Sequence, residues 1–375
     1  MSIDTQKQTK YNEIKNYLLS LISQNANKPN YRLPTELDLA KMFNTSRITS
    51  KHAFELLEQE HLIYRVQGSG TFINQKPLPS SDQETSSLNK TIALLIPDLK
   101  SHFTTSIVHG VEQTLKQQDY ALFLSLTDYN QELEQKMIAQ FLDLKIGGFI
   151  IYPVDNQIYN TEILKLLFNK FPVVFVDRYL PGISINNVSS SHTHDAMHVV
   201  EELIKNGHKK IGIISTSPEG TTTIQRRLNG YERALLSHNL PIENRFMCTK
   251  LEHYAPNWEP VISEYLEKNP DLTAIITTGS DIGYKLLKVL KSKNIRVPED
   301  ISAVLYDEEY IDILQFMNVN PARLEQNPFQ IGTEAAKLIL KSIQNPQLKP
   351  VSVRIPSKFV FGNTILNLNT GNIAQ

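Results

Sequence analysis

Residues 33–57 read Leu-Pro-Thr-Glu-Leu-Asp-Leu-Ala-Lys-Met-Phe-Asn-Thr-Ser-Arg-Ile-Thr-Ser-Lys-His-Ala-Phe-Glu-Leu-Leu. Apolar residues recur at helical spacing in both halves of this stretch, which predicts two successive helices. Thr35 followed by Asp38 is typical of a capping box at the start of the first helix, and Ser46 can cap the second. A short connection makes the helices cross, as in a helix-turn-helix. The apolar positions are Leu37, Ala40, Met42 and Phe43, then Ala53, Phe54, Leu56 and Leu57.

The flanking residues extend this unit by one helix and a hairpin. Downstream, the apolar runs 62–66 and 71–73 flank Gln67-Gly68-Ser69-Gly70, whose glycines permit a tight turn. Residues 1–76 therefore predict a winged helix-turn-helix, with three helices and a β wing. The helical spacing upstream is carried by Tyr11, Ile14, Leu18, Leu21 and Ile22.

Length and composition exclude several classes of protein. A chain of 375 residues, 41% hydrophobic and 21% charged, fits two or three globular domains and not a disordered or collagen-like chain. Cys248 is the only cysteine, so no intramolecular disulfide or Cys-based zinc site can form, which favours the cytoplasm. The sequence has no apolar leader and no run of about 18 apolar residues. We therefore expect neither secretion nor a membrane partner.

The charge and the composition change near residue 76. Through Lys76 there are ten Lys and Arg against seven Asp and Glu, a net +3, which leaves 28 against 32, or −4, for the remainder. Residues 77–90 contain two prolines and four serines and almost nothing apolar, which is typical of an extended linker. We therefore place a boundary there between the head, residues 1–76, and a second domain, residues 91–375.

The second domain alternates short apolar runs with amphipathic helices, the pattern of parallel sheets built from βαβ units. Its length fits two α/β lobes, with the ligand expected in a cleft between them. The predicted strands are Ile92–Ile96, Ala121–Leu124, Gly148–Tyr152, Val173–Val176, Ile211–Ile214, Ala274–Ile276 and Ile301–Leu305, and Phe246-Met247-Cys248 is expected to begin another, with Cys248 buried.

The chemistry of the head points to DNA. Arg47 stands near the start of the third predicted helix, where its guanidinium can make paired hydrogen bonds to guanine. Lys51 and Ser50 suit phosphates, and Ile48 can contact a thymine methyl. The alternative is an ordinary solvated helix face. Gly68, in the predicted hairpin turn, lies in a wing tip narrow enough for the minor groove, although such a turn alone would mean only a hairpin.

The head resembles the winged helix-turn-helix of GntR-type bacterial transcription regulators. The resemblance rests on Lys10-Tyr11, Leu33–Glu36, Leu39-Ala40, Phe43, Ser46-Arg47, Thr49, Ala53, Leu56, Leu62-Ile63 and Gln67–Phe72. It implies a homodimer bound to a double-stranded DNA operator. The matching DNA-contact positions are Lys10, Glu36, Arg47, Ser50, Lys51, Gln67 and Gly68. Lys51 replaces a common Arg and Ser50 a β-branched residue, so the operator sequence stays open. Glu36 has a second interpretation, as a carboxylate stabilising a helix N-terminus.

The second domain resembles the sugar-sensing domain of LacI-type repressors, which is similar to periplasmic sugar-binding proteins. The resemblance rests on Ile96–Asp98, Phe103, Gly147–Ile150, Pro172–Arg178, Gly207–Ile211, Arg227, Gly230-Tyr231, Asp281, Val297–Ser302 and Tyr306-Asp307. A GntR-type head on a LacI-type body is also the arrangement of arabinose-responsive repressors of Gram-positive bacteria. The fold implied is a winged helix-turn-helix plus a two-lobed, periplasmic-binding-protein-like α/β domain with parallel sheets.

This resemblance implies that a small sugar effector, arabinose or a related one, binds between the lobes. Guanidinium and carboxylate groups can bind adjacent hydroxyls, and aromatic faces cover the apolar side of a sugar ring. Asp177-Arg178 has a second interpretation, as a buried ion pair. The chain carries Ser190-Ser191 where the family has Asp-Asn, so the sugar can differ from arabinose. The matching effector positions are His102, Phe103, Arg178, Arg227, Asp281, Tyr306 and Asp307.

Other chemistries find little support. His192, His194 and Asp195 could ligate a metal, but they lie at a predicted helix start, where Thr193 or Asp195 is a better candidate for a cap. Gly279–Gly283 lacks the Lys of a phosphate-binding loop. We expect no cofactor, no metal and no enzymatic activity. Two alternatives stay open: a sugar-processing enzyme that kept a DNA-binding head, and a DNA-binding architectural protein whose cleft no longer binds a ligand.

Overall fold

The computed structural model describes residues 3–25, 31–59, 62–66, 70–73, 90–154, 159–251, 258–307, 309, 311–316 and 318–369. The chain divides into two compact units. Unit 1 comprises Met1–Asp98, Glu112–Asn187 and Ala335–Val351, and unit 2 comprises Leu99–Val111, Val188–Glu334 and Ser352–Gln375. The predicted linker lies almost entirely outside the described residues.

The head, in unit 1, consists of three helices and a two-stranded wing. The elements are α1 (Ile3–Asn25), α2 (Glu36–Met42), α3 (Arg47–Gln59), β1 (Ile63–Val66) and β2 (Gly70–Ile73). The strands pair antiparallel with Tyr64 opposite Phe72, and the turn between them lies outside the described residues. The winged helix-turn-helix expected from residues 33–57 is therefore present.

The predicted caps form as expected. The backbone N–H of Asp38 donates to Thr35 Oγ1 at 3.2 Å and that of Thr35 to the Asp38 carboxylate at 3.0 Å, a complete capping box for α2. Ser46 Oγ accepts from the backbone N–H of Thr49 at 3.2 Å at the start of α3. The predicted apolar face of α2 is only partly buried, because Leu37 and Met42 are exposed. The buried residues of α2 are Leu39 and Ala40.

Unit 1 also holds most of one α/β sheet. Its strands are β3 (Thr91–Ile96), β4 (Ala121–Leu126), β5 (Gly148–Ile151), β6 (Val173–Val176), β7 (Asn186–Ser190) and β13 (Ser352–Ile355), in the order β13-β7-β6-β5-β3-β4. The pairs β3–β4, β3–β5 and β5–β6 are parallel. The helices that follow its strands are α4 (His102–Lys116), α5 (Gln131–Asp143), α6 (Thr161–Phe168) and α7 (His192–Lys205).

Unit 2 holds the second sheet, in the order β14-β12-β11-β10-β8-β9. Every described pair is parallel except β12 with β14. The carboxyl ends of β8, β10, β11 and β12 therefore meet at one edge, the usual place for ligand-binding residues. The strands are β8 (Ile211–Thr216), β9 (Met247–Leu251), β10 (Ala274–Thr277), β11 (Ser302–Tyr306), β12 (Ala322–Glu325) and β14 (Lys358–Val360). The helices are α8 (Thr222–Ser237), α9 (Trp258–Lys268), α10 (Ser280–Ser292) and α11 (Ile311–Phe316), with a 3-10 turn at Asn244–Phe246. Helix α12 (Pro328–Gln344) begins in unit 2, and its residues from Ala335 onward belong to unit 1.

The seven predicted strands are confirmed with small changes at their ends, and Cys248 is buried in β9. Four strands were not predicted: β7, β12, β13 and β14. Strand β7 reads Asn-Asn-Val-Ser-Ser, yet its last four residues are buried. Their burial comes from the sheet and not from an apolar run, so hydrophobicity gives no signal for it.

Candidate DNA-contacting and effector-binding residues

Three of the predicted DNA-contact residues lie together on the exposed surface of α3. Arg47 and Ile48 occupy its first two positions. The Arg47 side chain is 73% exposed, and Ile48 is 72% exposed. Lys51 follows one turn later and pairs with Glu55 at 3.4 Å. Ile48 is therefore an exposed apolar side chain on the same helix surface as two cations. This face, named here the reading face, has the composition that major-groove recognition needs.

Ser50 does not share this face. It is 0% exposed, and its hydroxyl has no hydrogen-bond partner in the described part of the chain. The expectation that Ser50 contacts DNA is therefore corrected, because its side chain lies in the core of the head. The sequence carried a signal for this: Ser50 precedes the buried residues Ala53, Phe54 and Leu57 at i+3, i+4 and i+7.

Glu36 lies at the start of α2 between two arginines. Its Oε2 accepts from Arg47 Nε at 3.1 Å and its Oε1 from Arg65 Nη1 at 3.0 Å. The carboxylate is only 17% exposed. Arg65, on wing strand β1, also pairs with Glu58 of α3 at 3.0 Å and lies over the Phe54 ring at 5.7 Å. The arginine of the reading face is thus linked to the wing through Glu36.

The remaining predicted DNA contacts are less informative. Lys10 is partly exposed on α1 and donates to Glu13 at 2.8 Å, one helical turn away. No described contact joins Lys10 to the reading face. Gln67 and Gly68 lie outside the described residues.

Arg178, in unit 1, follows strand β6 and is buried. Its guanidinium carbon lies 4.8 Å from the centre of the Tyr152 ring, and its Nε lies 3.8 Å from Asp177 Oδ2. Asp177 adopts a φ of 62°, which turns the chain sharply at the strand end. The buried ion pair that formed the alternative interpretation of these two residues is present. An effector role for Arg178 stays a prediction.

Arg227 and Tyr306 are in contact in unit 2. The Arg227 guanidinium carbon lies 4.2 Å from the centre of the Tyr306 ring, and Nη1 donates to the backbone carbonyl of Thr278 at 2.5 Å. Arg227 is 7% exposed, and no described residue hydrogen-bonds to its Nε. Burial raises the pKa of the Tyr306 hydroxyl above its usual range, so the tyrosine stays neutral. Tyr306, one of the predicted effector positions, is itself buried, at 1% exposed.

Asp307 ends strand β11 and belongs to a hydrogen-bonded chain. Gln326 Nε2 donates to both Asp307 carboxylate oxygens at 2.9 and 3.0 Å, and Ser190 Oγ donates to Gln326 Oε1 at 2.7 Å. Asp307 has a φ of 62°, a left-handed conformation that reorients the chain after the strand. Ser190, where the family carries Asp, is therefore connected to a predicted effector-binding carboxylate through Gln326.

The other predicted effector positions lie at helix starts. His102 begins α4, where its backbone N–H donates to Glu309 at 2.8 Å and its ring lies 3.2 Å from Ser106 Oγ. Phe103 follows it and is partly buried. Asp281, in the first turn of α10, is exposed and accepts from Lys285 at 2.5 Å. Among the seven predicted effector residues, Arg227 and Tyr306 are in direct contact.

The start of α7 favours a structural role for its polar residues. Its N-cap is Ser191, without a side-chain cap, so the expected cap at Thr193 or Asp195 is wrong. Asp195 is buried and accepts from Ser357 Oγ at 2.6 Å. His194 is exposed with its Nδ1 3.7 Å from Asp195. Within the described residues no group of three His, Cys, Asp or Glu side chains is placed to hold a metal ion.

Sequence reasoning missed three residues that the structure connects to these sites. Gln326 follows β12, a strand that has no long apolar run. Glu309 stands two residues after Asp307 in a loop, where periodicity gives no signal. Arg65 lies two residues after buried Ile63 in β1 and so on the same face of the strand, and this period of two could have placed it on the inner face of the wing.

Comparison with known families identifies the class. Residues 89–363 match the family described as periplasmic binding proteins and sugar binding domain of LacI family, and residues 10–73 match bacterial regulatory proteins of the gntR family. The first match covers most of the chain. The chain therefore belongs to the LacI-type sugar-binding family and carries a GntR-type DNA-binding head.

Individual relatives match about nine tenths of the chain. The chain is 28% identical over 344 residues to an arabinose metabolism transcriptional repressor from Geobacillus stearothermophilus, covering 89% of this chain and 91% of the relative. It is 26% identical over 345 residues to a protein of the same name from Halalkalibacterium halodurans, covering 90% of each. The solved complex of the transcriptional regulator CelR with cellobiose, 19% identical, superposes with a TM-score of 0.67 over 88% of this chain and all of that one.

These matches define the chain as a DNA-binding transcriptional regulator and not an enzyme. The combination of a winged helix-turn-helix with a two-lobed α/β domain of parallel sheets is confirmed. In the part of the chain that the structure describes, no helix has the length and apolar character needed to span a bilayer.

Proposed function

We propose that this protein represses carbohydrate-utilisation genes by binding a double-stranded DNA operator, and that a small sugar releases it. The observation that carries the proposal is the joining of two parts in one chain: the reading face of α3 and a LacI-type sugar-binding region. Relatives that span about nine tenths of the chain carry names that include both a repressor and arabinose metabolism.

On DNA, Arg47 is proposed to donate two hydrogen bonds to a guanine, with Ile48 against a thymine methyl and Lys51 on a phosphate. Lys10 and the wing-tip residues Gln67 and Gly68 are proposed as further backbone or minor-groove contacts. Ser50 is left out of this set because it is buried.

In the second domain, the proposed effector-binding groups are Arg227, Asp307 and Asp281 for hydroxyls, with Tyr306 beneath the arginine. Among the described residues, the buried Arg227 Nε has no hydrogen-bond partner, which supports a sugar oxygen as its acceptor. His102, Phe103 and Arg178 complete the proposed set. Arabinose is the first candidate ligand because two relatives are named for its metabolism.

The proposed mechanism is a shift in population. A homodimer places two heads on two operator half-sites, and residues 77–90 act as the linker between residues 1–76 and 91–375. Sugar lowers the affinity for DNA only as far as it binds the weakly DNA-binding state more tightly. A regulator of chromosomal genes works in the cytoplasm, which is the proposed location.

A gel-shift titration tests the proposal. The wild-type chain would be used to enrich duplexes from a random-sequence DNA library, and the best duplex titrated with protein in the presence of pentoses and hexoses. We expect an enriched sequence, and release of it by one sugar. Failure to enrich any duplex, or turnover of a sugar by the protein, would refute the proposal.

A second candidate is a regulator whose second domain binds a ligand other than a pentose, or has lost ligand binding. Ser190 favours it, because this serine replaces a family Asp and is already bonded to Gln326. A thermal-shift panel separates the two, since a ligand that binds the folded state raises its melting temperature. A rise in melting temperature with hexoses only, or no rise with any sugar, would support this second candidate.

A further inference from the structure

The contacts around Glu36 form a chain of ion pairs from the wing to the reading face. The order is Glu58, Arg65, Glu36 and Arg47, with successive N···O distances of 3.0, 3.0 and 3.1 Å. Each Glu36 oxygen accepts from a different arginine. These residues come from α3, β1 and α2, so three elements are joined at this point.

The two arginines differ in how firmly they are held. Arg65 donates to two carboxylates and lies over Phe54, and its side chain is about one third exposed at 32%. Among the described residues, the partner of Arg47 is Glu36. The orientation of the exposed arginine therefore depends on the carboxylate, and the orientation of the carboxylate depends on Arg65.

We propose that Glu36 and Arg65 are positioning residues that hold the Arg47 guanidinium in one orientation, so that the wing strand determines how sharply the reading face discriminates between base pairs. The inference rests on the proposed DNA-reading role of Arg47. A bidentate contact to guanine depends on the plane of the guanidinium, so loss of orientation lowers discrimination before it lowers electrostatic attraction to phosphates.

Arg65→Lys is the informative variant. Lysine keeps the positive charge, but it lacks the planar fork that reaches two carboxylates at once. We expect the ratio of affinities for the enriched duplex and a shuffled duplex of the same composition to fall by about tenfold. The affinity for the shuffled duplex and its dependence on salt should stay as in the wild type, because the charge is unchanged.

Glu36→Gln should lower the same ratio and strengthen binding to the shuffled duplex, because it removes a negative charge beside DNA. Glu55→Gln is the matched control. Glu55 lies on α3 and pairs with Lys51, outside the chain of ion pairs. Its removal should strengthen binding to both duplexes alike and leave the ratio unchanged. Thermal melting of each full-length variant shows that the head remains folded.

A double-mutant cycle completes the test. In the Arg47→Ala background, Arg65→Lys should have no further effect on the ratio, because the residue that it orients is gone. A full additional loss there, or an unchanged ratio in Arg65→Lys alone, would overturn the inference while leaving the proposed repressor function standing. If the wild type enriches no duplex, the proposed function itself is refuted and the inference with it.

Discussion

Replacing Arg227 with alanine should weaken both sugar binding and the fold, by comparable free energies. In the folded protein the side chain donates to Thr278 at 2.5 Å and lies 4.2 Å from the Tyr306 ring centre. A hydrogen bond from a charged group contributes about 1.5–3 kcal/mol, and a desolvated cation–π contact about 2 kcal/mol.

Part of this stabilisation is already offset in the wild type. Arg227 Nε is buried and has no acceptor, which costs about 1–3 kcal/mol. Arg227→Ala removes this cost together with the two favourable contacts, so we expect the free energy of unfolding to fall by about 1–3 kcal/mol. A domain of typical stability survives such a loss.

Sugar affinity should fall by a comparable free energy. If Nε donates to a sugar oxygen, losing that charge-assisted bond raises the Kd about 10- to 100-fold. At a sugar concentration of about 100 times the wild-type Kd, the ligand stabilises the wild type by about 2.7 kcal/mol. A variant with a 100-fold higher Kd would gain only about 0.4 kcal/mol under the same conditions.

The assay is a urea titration of each variant with and without sugar, supported by calorimetric titration. Arg226→Ala is the matched control, because Arg226 is the neighbouring residue of α8 and is exposed. The control should bind sugar as the wild type does. Equal Kd values for Arg227→Ala and the wild type would refute a ligand-binding role for Arg227.

Three further predictions test the burial, charge and packing that the structure describes. Ser50→Ala should raise the free energy of unfolding by about 0.5–1 kcal/mol in urea melts, because it removes a buried hydroxyl that has no partner among the described residues. A loss of operator affinity in this variant would contradict the burial of Ser50. Burial raises the pKa of Glu134 from its usual 4.5 to about 7, so its contribution to stability is present at low pH and is lost as pH rises from about 4.5 through 7. Glu134→Gln should remove this fall in stability with rising pH. The check is the urea midpoint of the wild type and of Glu134→Gln as a function of pH, and parallel profiles would contradict the prediction. Gly332→Ala should lower the free energy of unfolding by about 1–3 kcal/mol, since the new Cβ would lie 2.2 Å from the Ile107 carbonyl oxygen. Gly279→Ala is the control, because no described atom lies within 4 Å of its new Cβ, and thermal melts should show no such loss of stability.

The sequence predicted those local features well that depend only on residues close together in the chain. The capping box at Thr35 and Asp38 forms as its spacing indicates, and the apolar runs become strands at nearly the predicted residues. It failed where burial is imposed by neighbours. Strand β7 is polar yet buried, and Leu37 is apolar yet exposed.

What the sequence determined by itself was the class of fold, since helical and strand periodicity, caps and turn glycines are properties of short segments. Only the tertiary structure decided the partners of the polar side chains. Glu36 meets Arg65 across 29 residues, and Ser190 meets Gln326 across 136. The reason is physical: a hydrogen bond depends on atoms within about 3 Å of each other, and the packing of distant elements sets those distances.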